Sequence, residues 1–347
     1  MPKFNYKLSL YLFFIIYFLV GLSIYKDFGV GIEEHFQRHN GFYWLNQLLS
    51  YTGFEDFKNL VNLKYQQISI VDPDLPDPIF FNFYGILFDL PLAFIEVFLN
   101  LENSKIYFEI RHLAIFLIFY ISSIFTFKIL NNRFENKFVI FLGLIIYILS
   151  PRIFGDSFHN NKDILFLSIL TISISYLFDL FTKHNNKNLL LFCFFAALAS
   201  SSRIMGIYLP VILFILYFLE LLIGKFSLKE FISRSLKLFI FFILFLYLHY
   251  PYMWQLNIFD IFGWFKSFFY WMDVEILFSG KYYSIKYLPR SYLPIWILIS
   301  TPFFIIIFFI LGTCISGKTI LKRLLNIKED KINKKGELWI NLNEKKD

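Results

Sequence analysis

Apolar residues in this chain gather into long runs separated by short polar stretches, a pattern that predicts helices crossing a bilayer. The first run, Leu8 to Tyr25, follows Lys3 and Lys7. It has no A-x-A cleavage signal and is long enough to cross, so it predicts an uncleaved signal-anchor helix. Seven further runs, at roughly 109–130, 136–150, 163–181, 188–200, 204–223, 236–250 and 291–312, predict further spans. The alternation over about ten residues that marks a membrane β-barrel is nowhere visible. The expected fold is all-α: a polytopic membrane protein with about eight transmembrane helices.

One more run, Ile79 to Leu99, has the length to span but contains Asp89, Pro91 and Glu96, which are costly at the bilayer centre. Charge decides its reading. With 79–99 outside the bilayer core and a cytoplasmic N-terminus, 20 of the 33 Lys and Arg residues fall in segments on the inner side. If 79–99 spans, every later loop changes side and only 11 of the 33 remain inside. The positive-inside rule selects the first arrangement, with 79–99 as a juxtamembrane or re-entrant helix. Two large loops then face outward, about 26–108 and about 250–290, and residues 313–347 form a basic cytoplasmic tail.

Runs 136–150, 188–200 and 236–250 are short for a hydrocarbon core of about 30 Å. They end at "SPRIFGDSFHNNKD", "SSSR" and "HYPYMW", all on the outer side of this topology. Polar backbone at membrane depth is tolerated where it is buried in protein or lines a wet cavity, so these ends predict an outward-open polar cavity.

Composition narrows the chemistry. The chain is 57% hydrophobic and 17% charged, with 49 Phe and 22 Tyr, a bias that an AT-rich genome also produces. A net charge of +7 suggests nucleic acid, but its sorting by side speaks for a membrane and against a nucleic-acid partner. Two cysteines in or beside apolar runs exclude a disulfide framework and a cysteine zinc site.

Four polar stretches carry candidate chemistry. "GVGIEEHFQRHNGFYW" follows the first span; Glu33 or Glu34 there suits a general base on an acceptor hydroxyl, and an ordinary solvated loop fits as well. In "SPRIFGDSFHNNKD", Asn160 or Asn161 suits a cap for the helix starting near Asp163. Capping leaves Arg152, Asp156, His159 and Lys162 unexplained, and cations at a helix start suit a phosphate or another anion. A metal held by His159, Asp156 and Asp163 matches no strong ligand spacing. Arg203 in "ASSSRIMG" is explained equally by snorkelling to the interface and by a lipid-phosphate substrate. The Tyr and Trp of "HYPYMW" and "YLPRSYLPIW" read as interfacial anchors, and the tail as a stretch that contacts anionic membrane lipids.

Taken in order, "GIEEHFQR", "YGILFDLPLAFIE", "RHL", "SPRIFGDSFHNNKDILF", "SSRIMG", "HYPYMW" and "LPRSYLPIWILISTP" resemble the GT-C superfold of membrane glycosyltransferases. The resemblance is to the family-39, protein O-mannosyltransferase and aminoarabinose-transferase-like group, and it covers most of the chain. It implies one transmembrane catalytic module over 1–312 and a polyprenyl-phosphate-linked sugar as donor. It also implies a periplasmic or lumenal active site and an acidic base in the first outer loop. Glu33 sits where that family commonly has the Asp of an Asp-Glu pair, with Glu34 as its neighbour. Relatives usually continue with further spans and sometimes a soluble domain, so this chain is expected to be a truncated or minimal form.

The expected function is inverting sugar transfer to a hydroxyl acceptor on protein, glycolipid or glycan, at the outer face of an inner or plasma membrane. Glu33 or Glu34 is the candidate base. Arg203, Lys162 and Arg152 are the candidate ligands of the donor phosphate, with Arg38 behind them. His159, Asp156, Asn161, Asp163 and Asp89 are expected to organise the cavity. No cofactor beyond the lipid-linked donor is required, and a divalent metal is left open. The rival class is a transporter or lipid flippase, which also uses broken helices around a polar cavity; the absence of paired inverted hydropathy repeats counts against it. A non-catalytic subunit is a third class.

Overall fold

The computed structural model describes residues 6–71, 82–268 and 274–328. The chain divides into two compact units, residues 1–217 with 229–255, and residues 218–228 with 256–347.

The larger unit opens with α1 (Tyr6–Ile24), followed by α2 (Glu34–Leu49), α3 (Glu55–Val71) and α4 (Asp89–Phe98). The helices α5 (Ser104–Arg133), α6 (Lys137–Leu149), α7 (Pro151–Asp156), α8 (Asp163–Thr182) and α9 (Asn186–Ser202) come next, then α10 (Tyr208–Leu222) and α11 (Leu228–His249). Asparagine side chains set several of the starts. Asn103, Asn136 and Asn185 accept backbone N–H bonds at 2.7–2.9 Å from Lys105, Phe138 and Asn188, which caps α5, α6 and α9. Asn160 does the same for α8, accepting from Asp163 N–H at 2.8 Å, as the capping reading of that stretch expected.

The core of this unit is aromatic and aliphatic. Tyr17, Ile115, Phe116, Phe119, Leu144, Ile148 and Ile169 of α1, α5, α6 and α8 form one buried cluster with Phe158 of the turn after α7. A satellite cluster of Phe42, Leu45, Val61, Ala93 and Val97 joins α2, α3 and α4. There α2 lies so close to the start of α4 that a Cβ on Gly41 would stand 2.3 Å from the Asp89 carbonyl oxygen. The short stretch before α4 is held by Gly85 N–H to Ser201 O (2.9 Å), Ile86 N–H to His249 O (3.3 Å) and Tyr250 O–H to Phe83 O (2.9 Å). It therefore runs against the ends of α9 and α11, and with ten residues α4 rises only about 15 Å, too short to cross.

In the smaller unit, α12 (Ile258–Ser267) precedes an antiparallel hairpin of β1 (Glu275–Phe278) and β2 (Lys281–Ser284), then α13 (Tyr292–Ser300) and α14 (Phe303–Lys328). Glu275 pairs with Ser284 and Phe278 with Lys281. Ser279 and Gly280 form the two-residue turn with φ of 51° and 77°, the left-handed pair that matches strand twist.

Span by span, the structure revises the sequence expectation. Among the described residues, six helices are long and apolar enough to cross a membrane: Tyr6–Ile24, Ser104–Arg133, Asp163–Thr182, Ile204–Leu222, Leu228–His249 and Phe303–Lys322. The predicted spans at 136–150 and 188–200 are helices of 13 and 17 residues, α6 and α9, below that length. The run at 236–250 is not short, because the polar turn with Lys229, Glu230 and Arg234 is also helical and extends α11 to 22 residues. The run at 291–312 is broken. Pro302 has no N–H to continue the helix, so α13 stops at Ser300 and α14 starts at Phe303. Residues 329–347 of the expected tail lie outside the described residues.

Candidate active site

The acidic pair after α1 is split by its surroundings. Glu34 is buried in the first turn of α2, where its carboxylate accepts the Gly31 N–H at 2.7 Å and meets His112 Nε2 of α5 at 3.1 Å. Gly31 N–H and Glu34, three residues apart, make the return half of a capping box, so Glu34 fixes the turn that carries its neighbour. Glu33 points elsewhere: its side chain is 51% exposed and lies 3.2 Å from Lys162 Nζ. The two positions weighed together as a base thus have different environments, one sealed and one open.

Lys162 comes from the turn before α8, 129 residues away from Glu33, and only 10% of its side chain is exposed. Its ammonium sits 4.6 Å from the centre of the Tyr84 ring, a cation–π contact. Aromatic stacking holds the two loops together: Phe28 lies on Phe158 at 4.5 Å and Phe158 on Phe116 at 5.1 Å, with His159 6.0 Å from Phe28. One residue beyond Lys162, Asp163 forms an ion pair with Arg203, at the end of α9. Asp156 meets both Arg152 (3.8 Å) and His159 (3.7 Å) around the α7 turn. Arg152 is 66% exposed and lies at the edge of this group.

Behind this rim is a buried ionic network that composition alone did not reveal. Arg38 of α2 donates from Nε to both oxygens of Glu96 at 3.2 and 3.0 Å, and its guanidinium lies 3.9 Å from the Tyr107 ring centre. That internal pairing makes Arg38 a brace between α2 and α4. Arg111 of α5 stands 4.0 Å from Glu96 and 3.7 Å from Asp89. Asn40 donates its amide to Asp89 at 3.1 Å. Burial pushes the Asp89 carboxyl up to about 7, against the pull of Arg111, Asn40 and Lys162.

A small cavity of about 20 Å³ connects the two layers, bounded by Gln37, Tyr84, Asp89, Asn161, Lys162 and Ser201 among others. Asn161, expected to organise the cavity, is buried at its wall. The sequence reading missed Glu96, Arg111 and His112 as site-building residues. Their signal was present: an Arg-His pair inside an apolar run and a Glu sharing the buried face of α4 with Asp89 mark groups that must find partners. Among the described residues, no three His, Cys, Asp or Glu side chains converge as metal ligands.

Residues 90–252 match the model of a family described as dolichyl-phosphate-mannose-protein mannosyltransferase. Over that span the chain is similar to membrane glycosyltransferases of the mannosyltransferase type. The matched residues run from α4 to the end of α11, so they include Lys162, Asp163 and Arg203 and stop short of Glu33 and Glu34. Comparison with curated proteins and with solved structures gave no match. This match agrees with the resemblance read from the sequence motifs, and among the described residues six helices are long and apolar enough to cross a membrane. The transporter reading is not favoured.

Proposed function

We propose that this mannosyltransferase-like protein moves a sugar from a polyprenyl-phosphate donor to an acceptor hydroxyl at the outer membrane face, with inversion. The observation that carries this reading is the half-exposed Glu33 carboxylate meeting Lys162, beside the Arg203–Asp163 pair. Glu33 takes the acceptor proton as the oxygen attacks the anomeric carbon, and the bond from that carbon to the phosphate oxygen breaks. Lys162 and Arg203 meet the charge that grows on the departing polyprenyl phosphate, where stabilisation of the transition state acts on rate. Arg152 belongs to the outer edge of the same donor site. Glu34 does no proton transfer; with His112 it holds the loop that presents Glu33. His159 and Asp156 order the α7 turn, and Asp163 pairs with Arg203 until the donor displaces it. The outward orientation rests on the asymmetry of basic residues along the chain.

The test uses membranes that hold the endogenous acceptor, supplied with radiolabelled polyprenyl-phosphate mannose. Glu33→Gln should lower the rate at saturating donor by about 100-fold or more, the usual loss of a general base. Arg203→Ala should raise the donor KM more than Arg203→Lys does. Near-normal turnover in Glu33→Gln removes the base assignment. Mass analysis of envelope glycans and glycolipids with and without the protein identifies the sugar and the acceptor.

A further inference from the structure

The cavity behind Lys162 presents an unusual set of atoms. Gln37 Nε2, Asn161 Nδ2 and Asp89 Oδ1 are buried, and none has a hydrogen-bond partner among the described residues. Asp89 Oδ1 has only the 3.7 Å ion pair with Arg111. All three residues bound the same cavity, with Lys162 as a fourth wall. Two amide donors and one carboxylate acceptor complement a water molecule, which accepts twice and donates at least once. The volume of about 20 Å³ suits one water and excludes a phosphate or a sugar. Buried donors and acceptors left unsatisfied are costly, so the site demands an occupant.

We propose that one ordered water fills this cavity and joins Asp89 to the Lys162–Glu33 pair, so that Asp89 takes up the proton Glu33 removes from the acceptor. The inference rests on the reading of Glu33 as base. In the relay, Lys162 passes one N–H proton through the water to Asp89 and regains one from Glu33. The ammonium ends unchanged, Glu33 returns to carboxylate and Asp89 becomes a neutral acid. Only O–H and N–H bonds are made and broken, and Asp89 resets by the reverse route when product leaves. A carboxyl held near 7 binds that proton more firmly than an ordinary exposed carboxylate with a pKa of about 4.

The groups around Asp89 set the pH at which the relay fills. Arg111 faces it from α5 and Lys162 from the turn before α8. Glu34 and Arg38 stand on α2 with Glu33 just before it, and Glu96 lies about two turns further along α4. Near the end of α11, His249 bonds through Nδ1 to Phe245 O, away from the cavity.

The experiment follows transfer from radiolabelled polyprenyl-phosphate mannose in membranes across pH 5 to 9 for the wild type, Asp89→Asn, Gln37→Met and Glu33→Gln. In the wild type, the saturated rate should fall on the acid side near pH 7, where Asp89 is already protonated. Asp89→Asn should lose at least tenfold in saturated rate, keep donor KM within about twofold and lack that acid limb. Gln37→Met, which removes a donor to the water, should lose severalfold and retain the limb. Asp89→Asn with wild-type rate and pH profile overturns the relay while an inactive Glu33→Gln leaves the base assignment standing. An active Glu33→Gln overturns both. If Asp89→Asn does not fold, Gln37→Met with the rate and profile of the wild type overturns the relay.

Discussion

Removing Glu96 should unfold the outer helices more readily than removing Glu96 together with its partner. The Glu96 carboxylate is buried, takes two bonds from Arg38 Nε at 3.2 and 3.0 Å with a third from Nη2, and lies 4.0 Å from Arg111. In Glu96→Ala, the buried Arg38 loses its carboxylate partner and the buried Arg111 keeps Asp89 at 3.7 Å. Breaking one side of a buried ion pair costs about 3–5 kcal/mol, because the other charge stays desolvated. At roughly 2–4 °C of melting temperature per kcal/mol, on the scale of soluble domains, the drop is about 6–20 °C. The paired substitution Arg38→Met with Glu96→Leu removes both charges and keeps most of the volume, and should lie within a few degrees of the wild type. The assay is thermal unfolding of the purified full chain in detergent, read by the retention of monodisperse protein after heating. Equal destabilisation of the single and double variants would show that packing, and not stranded charge, sets the effect. A single variant as stable as the wild type would refute the buried network altogether.

Other outcomes follow from the same geometry. His112→Ala leaves buried Glu34 with only the Gly31 N–H and should cost about 1–3 kcal/mol, with His112→Gln recovering most of it, as checked by the same melting assay. A Cβ at Gly41 meets backbone of Asp89 at 2.3 and 2.7 Å, so Gly41→Ala should cost about 1–3 kcal/mol, whereas Gly155→Ala, with open space around it, should not destabilise. Asp89 holds its proton more firmly folded than unfolded, so between its ordinary 3.8 and about 7 the folded state binds more protons. Stability should therefore decline as pH rises through that window and flatten in Asp89→Asn. Asp163→Asn removes the internal competitor for Arg203. That exposed pair is worth at most about 1 kcal/mol, so donor KM should fall by up to roughly fivefold, and a rise would mean that Asp163 itself holds the donor.

Some of this was legible in the residues alone because it depends on local chemistry or on charge sorted along the chain. Asp89, Pro91 and Glu96 marked 79–99 as a poor span, and α4 is a ten-residue helix. Asn160 announced a cap because its side chain and the backbone it bonds are three residues apart. The partners of Arg38 and Arg111 were not legible. Glu96 stands 58 residues from Arg38, and nothing in either neighbourhood says that α2 and α4 cross at Gly41. Pro302 carried a visible stop signal, but apolar residues on both sides made 291–312 read as one run. For Glu33 and Glu34, adjacency in sequence concealed a difference that only packing makes: successive positions at the start of a helix point about 100° apart, so one meets α5 and the other the turn before α8.

That divergence explains why the cations of the rim already have carboxylate partners. Lys162 meets Glu33, Arg203 meets Asp163 and Arg152 meets Asp156. Near a bilayer, unpaired ammonium and guanidinium groups attract anionic lipid head groups, which would compete with a lipid-phosphate donor. Internal carboxylates lower that attraction uniformly, while a donor that also offers a sugar and a polyprenyl chain brings further binding contacts to displace them. In the proposed reaction Lys162 has three N–H groups, enough to hold Glu33, the cavity water and the departing phosphate at once, so the same lysine links the donor to the base without leaving it.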